Sequence, residues 1–147
     1  MNSSKARPTT RRKRGVVGVI LRDERMLVIR RSLTVTAPGM LCLPGGTIEE
    51  GESECEALVR EMQEELLIDV EPIGLCYRSV TAWGTNLAWW QAELSPAQVP
   101  KANPDEVAEY FWCTRDELRS ASDALPSLPE FVAAWESGMI KIDASWR

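Results

Sequence analysis

From Leu43 to Val70 the chain reads LPGGTIEEGESECEALVREMQEELLIDV, a glycine-rich turn running into an acid-rich segment. Ser53 followed three residues later by Glu56 forms a capping box, so a helix is expected to start near Ser53. Placed at about 100° per residue, Leu58, Met62, Cys55, Leu66 and Val59 fall within one arc of roughly 100°, the width of a core-facing stripe. Glu61, Glu64 and Glu65 fall on another arc, with Arg60 beside them. A helix with one such stripe has to be covered by another layer.

The acidic arc is unfavourable unless something binds it. Glu61 stands i,i+4 to Glu65 and i,i+3 to Glu64, and like charges at those spacings cost about 0.2–0.5 kcal/mol per pair. The three acids also lie toward the helix C-terminus, where the dipole disfavours negative charge, whereas Glu54 and Glu56 occupy the favourable first turn. A divalent cation would reverse the penalty, and an all-oxygen donor set suits Mg²⁺ or Mn²⁺. The competing reading is a solvated acidic face.

Spacing decides between them. From Gly46 the chain reads G-x5-E-x7-R-E-U-x-E-E-x-x-U, filled by Gly46, Glu52, Arg60, Glu61, Met62, Glu64, Glu65 and Ile68, with U a bulky apolar residue. With each residue type at about 6–7% usage, six fixed positions match by chance roughly once in 10⁷ starts. The pattern resembles the Nudix box, the signature of the Nudix hydrolases. It departs at one position, where the family usually has Gly and this chain has Leu67. Such a glycine would end the helix in a left-handed turn. With Leu67 the helix is expected to run on for part of a turn before Pro72.

The resemblance implies a Nudix-type α/β/α sandwich with a mixed central sheet. It also implies metal-dependent hydrolysis of a diphosphate bond in a nucleoside diphosphate-linked or nucleoside triphosphate substrate. On this resemblance Glu61, Glu64 and Glu65 hold Mg²⁺ or Mn²⁺ with a backbone carbonyl of the Gly45-Gly46 turn, and Arg60 orients carboxylates such as Glu52. Glu106 and Glu109, in the segment Glu106-x-x-Glu109-x-x-Trp112, are similar to an acid-bearing stretch after the box in many family members. Glu109 is the expected further metal ligand. The general base is left among Glu61, Glu64, Glu106 and Glu109. The Pro about sixteen residues past the box that marks ADP-ribose enzymes is absent, since positions 83–85 read Trp83-Gly84-Thr85. No NADH-type or dinucleoside-polyphosphate-type array is present either, so by elimination a small nucleoside triphosphate or its damaged form is the expected substrate. A non-catalytic nucleotide- or protein-binding module and an RNA-associated, decapping-like hydrolase are the alternatives.

Several bulk features narrow the chemistry. The chain has no histidine, so Ser-His-Asp and Cys-His nucleophilic systems are excluded. A general base has to be a carboxylate, Lys, Tyr, a thiolate or a hydroxide held by a metal. The four cysteines contain no C-x-x-C pair, which reads as reduced, buried thiols in a cytoplasmic protein. No apolar run is long enough to span a membrane. Residues 1–14 hold six of the 17 basic residues and no acid, leaving 11 basic against 22 acidic residues in the body. That body repels nucleic acid unless the tail or a metal intervenes. The expected partner is a small-molecule nucleotide, and a homodimer is left open.

At 147 residues the chain is expected to form a single domain over 15–147 after a disordered basic tail, 1–14. Gly15–Leu21 and Met26–Arg30 read as a hairpin around Asp23-Glu24, and Leu41–Leu43 as a short strand. Val70-Glu71-Pro72 reads as a break before a strand at Ile73–Trp83. Leu87–Leu94 and Val107–Trp112 complete the strands. Thr114-x-x-Glu117 is a second capping box opening a short helix to Ser120, and Pro129 begins a last helix ending near Gly138. This mixed element order indicates α+β, with the box helix packed on a sheet. Arg30 and Arg31 end a strand facing the box, where they contact phosphate or simply carry surface charge. Trp89 and Trp90 must face opposite sides of a sheet. Trp83 and Trp89 are candidates for stacking on a base or nicotinamide-like ring, against the competing role of core packing.

Overall fold

A computed structural model describes residues 13–142 of the chain. Its first strand, β1 (Arg14–Arg22), carries apolar residues at nearly every position and is buried on both faces, as a central strand flanked by two layers must be. A tight turn at Asp23 and Glu24, both with φ near +55° (51° and 61°), returns the chain as β2 (Arg25–Arg31). Two consecutive left-handed residues are what a two-residue hairpin turn of the right twist requires.

β1 and β2 pair only beside that turn, at Leu21–Met26 and Arg22–Arg25, and then part. The gap is filled by β3 (Leu41–Cys42), which pairs with β2, and β4 (Gly45–Thr47), which pairs with β1 at Gly15–Val17. The Pro44 carbonyl between them accepts from Gly18 N–H at 2.8 Å. The glycine turn is therefore built into the sheet rather than looped over it. At Gly45 a Cβ would collide with the Val16 carbonyl oxygen, so the close pairing of β4 on β1 needs glycine there.

α1 (Glu54–Leu66) follows, opened by the capping box of Ser53 and Glu56 as expected. Next come β5 (Val70–Val80) and β6 (Asn86–Leu94), with β6 parallel to β1 and antiparallel to β5. β7 (Val107–Cys113) pairs antiparallel with the outer side of β2. α2 (Arg115–Ser120), with its own capping box at Thr114 and Glu117, and α3 (Ser127–Glu136) close the described chain. The seven strands form one mixed sheet, in the order β3-β2-β1-β6-β5, with β4 added on β1 and β7 on β2. Leu58, Met62 and Leu66 of α1 pack with Val16, Ile20 and Leu27 on one face. Phe131 and Val132 of α3 and Leu118 of α2 pack with Val17, Val28 and Trp89 on the other. This is the expected α/β/α sandwich.

Four expectations are corrected in detail. Arg14 already belongs to β1, while residues 1–12 of the basic tail lie outside the described residues. Pro72 does not break the strand but sits within β5. It is tolerated because β5 is the sheet edge and because its register shifts twice, between Pro72 and Gly74 and between Leu75 and Tyr77. The helix does not run past Leu66. Leu67 adopts φ 55°, ψ 40°, the left-handed conformation that a glycine would take; its N–H caps the Gln63 carbonyl and the following Ile68 N–H caps that of Met62. The cysteines are unpaired as expected, but only Cys42 is fully buried.

Candidate active site

The buried side of α1 is not the stripe read from the sequence. Val59 is 37% exposed, Cys55 is half-buried, and Glu61 and Glu65 are buried at 7% and 5% exposure beside Ala57, Leu58, Met62 and Leu66. Two of the three acids therefore share the covered face with the apolar residues, and they point at the split between β1 and β2. A Cβ on Gly46 would run into the Glu61 carboxylate, so that glycine makes room for the acid. The neighbouring Gly45 N–H donates to Glu65 Oε1 at 3.1 Å. The glycines of the turn thus serve two needs at once, strand pairing on one side and close approach of carboxylates on the other.

Glu61 and Glu65 meet a third acid, Glu106, from the loop leading into β7. One carboxylate oxygen from each of the three lies within 4.8 Å of the others. Burial pushes the Glu65 carboxyl well above its ordinary range, and the nearby Glu61 charge adds to the effect. Glu61 is raised by burial too, against the opposing pull of Arg60. Crowded, buried carboxylates of this kind are costly unless a proton or a cation offsets them. The donor set is all oxygen, which fits a hard divalent cation.

Arg60 organises the outer side. Its Nε and Nη2 bind Glu52 as a bidentate pair at 2.6 and 3.0 Å, and Nη2 also reaches the Thr47 carbonyl at 3.0 Å. Nη1 contacts Glu61 at 3.0 Å and Glu64 at 3.2 Å. The Arg60 hydrogen bonds hold the Glu52 carboxyl down to about 2. Glu64 stays partly open to solvent, its side chain 46% exposed.

The structure thus brings together Glu52, Arg60, Glu61, Glu64, Glu65 and Gly46. It does not bring Glu109 to them. Glu109 lies opposite Arg30 across the β2–β7 pair, and its carboxylate accepts from Arg30 Nε at 3.2 Å. Arg30 in turn donates to the Gly39 carbonyl and to Asp123, tying the loop before β3 to the loop before α3. Arg31 points elsewhere and lines a cleft of about 630 Å³.

Gly45 and Gly46 of the glycine turn line that cleft, whereas Glu61, Glu65 and Glu106 do not. Trp83, Trp89, Leu125 and Ser127 line it further out. Trp83 is 76% exposed in the β5–β6 turn, held by Thr81 Oγ1 accepting from its N–H at 3.3 Å. Trp89 is buried, stacked on Phe131 with centroids 4.5 Å apart, and its Nε1 donates to Ser79. The wall from residues 125–128 had no signal in the sequence, because it is closed by chain folding across the sheet rather than by any local spacing.

A sequence model of the NUDIX domain matches residues 11–135. The chain belongs to the NUDIX family. Among relatives of this Nudix hydrolase, the CTP pyrophosphohydrolase of Escherichia coli (strain K12) is 29% identical over 124 residues, covering 80% of this chain and 90% of the relative. A nucleoside triphosphate pyrophosphatase/Nudix hydrolase fusion protein of Bifidobacterium longum (strain NCC 2705) is 32% identical over 79 residues, which is 52% of this chain and 16% of that protein. In three dimensions the Nudix fold is shared with the MutT protein of Methanosarcina mazei Go1, at TM-score 0.75 and 20% identity over 88% of this chain and 96% of that one. The solution structure of the E. coli ORF135 protein gives TM-score 0.71 at 21% identity, covering 96% of this chain and 100% of that one. No described helix is long and apolar enough to cross a membrane.

Proposed function

We propose that this Nudix pyrophosphohydrolase cleaves a diphosphate bond in a nucleoside triphosphate, using Mg²⁺ or Mn²⁺ at the α1 carboxylates. The observation that carries the reading is the convergence of Glu61, Glu65 and Glu106 beside a glycine turn that also lines the cleft. Glu61, Glu64 and Glu65, with the Gly46 carbonyl and Glu106 from the loop before β7, would hold the cation. When bound, it neutralises phosphoryl charge that the carboxylates would otherwise repel.

The chain's own residues supply the rest. Arg60, saturated by Glu52, Glu61, Glu64 and the Thr47 carbonyl, orients acids and leaves no hydrogen-bonding direction for substrate. Gly45 and Gly46 let the α1 carboxylates close on the turn without an intervening Cβ. Arg31 lies on the cleft wall, where it would meet the phosphates, and Trp83 offers exposed aromatic surface for the base, whereas Trp89 stays in the core. With Glu109 engaged by Arg30, Glu106 would be the strand-side acid beside the cation, and the base for the attacking water would be Glu61 or Glu64. The name of the E. coli relative, matched over most of both chains, supports a nucleoside triphosphate over larger diphosphate conjugates. A screen of the purified protein against ribo- and deoxynucleoside triphosphates with Mg²⁺ or Mn²⁺, scoring pyrophosphate against phosphate release, tests this. Pyrophosphate release with a nucleoside monophosphate product is expected; turnover confined to sugar-nucleotide or dinucleoside conjugates would displace the reading.

A further inference from the structure

The last-turn carbonyls of a helix need donors from outside it. In α1 the Gln63 and Met62 carbonyls are taken by the chain that leaves the helix, with Leu67 N–H at 3.1 Å from Gln63 O and Ile68 N–H at 3.4 Å from Met62 O. The next three are taken by a distant loop. Asn103 Nδ2 donates to the Glu64 carbonyl at 3.0 Å, Asn103 N–H to the Glu65 carbonyl at 2.9 Å, and Lys101 N–H to the Leu66 carbonyl at 2.8 Å. Two of the three donors thus come from one residue, and the carbonyls they hold belong to Glu64 and Glu65.

Asn103 faces the other way as well. Its Oδ1 accepts from Asp105 N–H at 3.1 Å, and its carbonyl accepts from Glu106 N–H at 3.0 Å and Val107 N–H at 2.8 Å. Those bonds turn the loop into β7 and fix the backbone of Glu106. The chain from the helix acids to the loop acid is therefore short: Glu65, Asn103, Glu106. Three carboxylates within 4.8 Å repel one another when ionised. A frame is needed to keep the third one in place.

We propose that Asn103 is a positioning residue that fixes the loop-borne Glu106 against Glu61 and Glu65 and so completes the cation site. This rests on the metal reading above. A plain helix cap would explain the bonds to Glu64 and Glu65, but it does not call for the same residue to close the turn that carries Glu106. The two halves of Asn103 act together: the amide nitrogen reads the helix, and the amide oxygen and carbonyl shape the loop.

The test is Mn²⁺ affinity of the nucleotide-free protein, followed by electron paramagnetic resonance, with thermal melting alongside. Loss of a partner that orients a metal ligand weakens metal binding by about 10–100-fold. Asn103→Ala is expected to weaken Mn²⁺ binding at least about tenfold. In a Glu106→Gln background the same substitution is expected to add less than about twofold, because the residue through which it acts is already disabled. Asn103→Ser keeps an oxygen for the turn but cannot reach the Glu64 carbonyl; it is expected to lose at least about threefold and serves if the alanine variant does not fold. Mn²⁺ affinity within twofold of wild type in the folded Asn103 variants, or full additivity with Glu106→Gln, overturns the proposal. Glu65→Gln separates the two ideas. If it abolishes Mn²⁺ binding while Asn103→Ala leaves binding intact, only the positioning role is lost, whereas a wild-type protein that binds no Mn²⁺ overturns both.

Discussion

Leu67 offers a direct measurement of backbone strain beside the carboxylate site. It holds φ 55°, ψ 40° and is 53% exposed. An L-residue in that region carries a penalty of about 1–2 kcal/mol that glycine escapes. Replacing Leu67 by Gly also removes its partial packing and loosens the unfolded chain, so the single substitution mixes three effects. Comparing Leu67→Gly with Leu67→Ala cancels the packing loss, since both remove the same side chain beyond Cβ. What remains is the strain relieved in the glycine variant, offset by about 0.4–1 kcal/mol of extra unfolded-state entropy. The glycine variant should therefore be the more stable of the two by about 0.5–1 kcal/mol. Inside a helix the order is reversed, with Ala preferred by about 1 kcal/mol. Urea unfolding of the two variants reads the sign directly, and in a thermal scan the gap corresponds to about 2–4 °C. Both should turn over within about tenfold of wild type, because position 67 supplies no carboxylate and its side chain is half exposed. An alanine variant more stable than the glycine variant would mean that the helix continues through position 67, and the exit geometry described above would be refuted.

Glu64→Gln and Glu65→Gln should each lower turnover at least about a hundredfold, as expected when a charge near the reacting phosphoryl group is lost; Glu65→Gln should also raise the melting temperature of the chelated protein by relieving its repulsion with Glu61. Glu54→Gln is the contrasting case: Glu54 accepts from Arg78 at 2.9 Å and Trp90 at 2.8 Å, so stability should fall by about 1–2 kcal/mol with turnover nearly unchanged. Equal turnover losses in all three variants would undo the assignment of the acids. The pH dependence of the metal-free protein follows from the raised carboxyls of Glu65 and Glu61. The native state holds their protons more tightly than the unfolded chain, so stability should fall as pH rises from about 5 through neutrality. Below about pH 4.5 the depressed carboxyls of Glu52 and Glu54 act in the opposite sense, and saturating Mn²⁺ should remove the neutral-range slope. Urea titrations from pH 5 to 8, with chelator or Mn²⁺, check this; chelated protein that gains stability toward pH 8 would contradict it.

How much was legible depends on whether the cause was local. The capping boxes at Ser53 and Thr114 were legible because both partners lie within four residues, and both form as read. The opposite facing of Trp89 and Trp90 follows from strand geometry alone, and they do pack in different layers. The strand at Gly45–Thr47 was not legible, because its reason lies elsewhere: a gap between β1 and β2 that opens after a hairpin and needs filling. Pro72 read as a break because nothing local says that its strand will be an edge. The division of α1 into an apolar face and an acidic face failed for a related reason. A helical wheel treats charge and burial as alternatives, yet Glu61 and Glu65 are buried because Gly46 leaves the space of a side chain for one and Gly45 supplies an N–H for the other. The residue types that betray this are therefore not the acids but the two glycines some fifteen to twenty residues before them. The same logic bears on Glu106 and Glu109. Only the bend at Asn103 and the pairing of Glu109 with Arg30 decide which acid faces the helix, and both are tertiary facts. A box motif names the acids that share its helix; the acid that meets them from across the sheet is chosen by the loop that carries it.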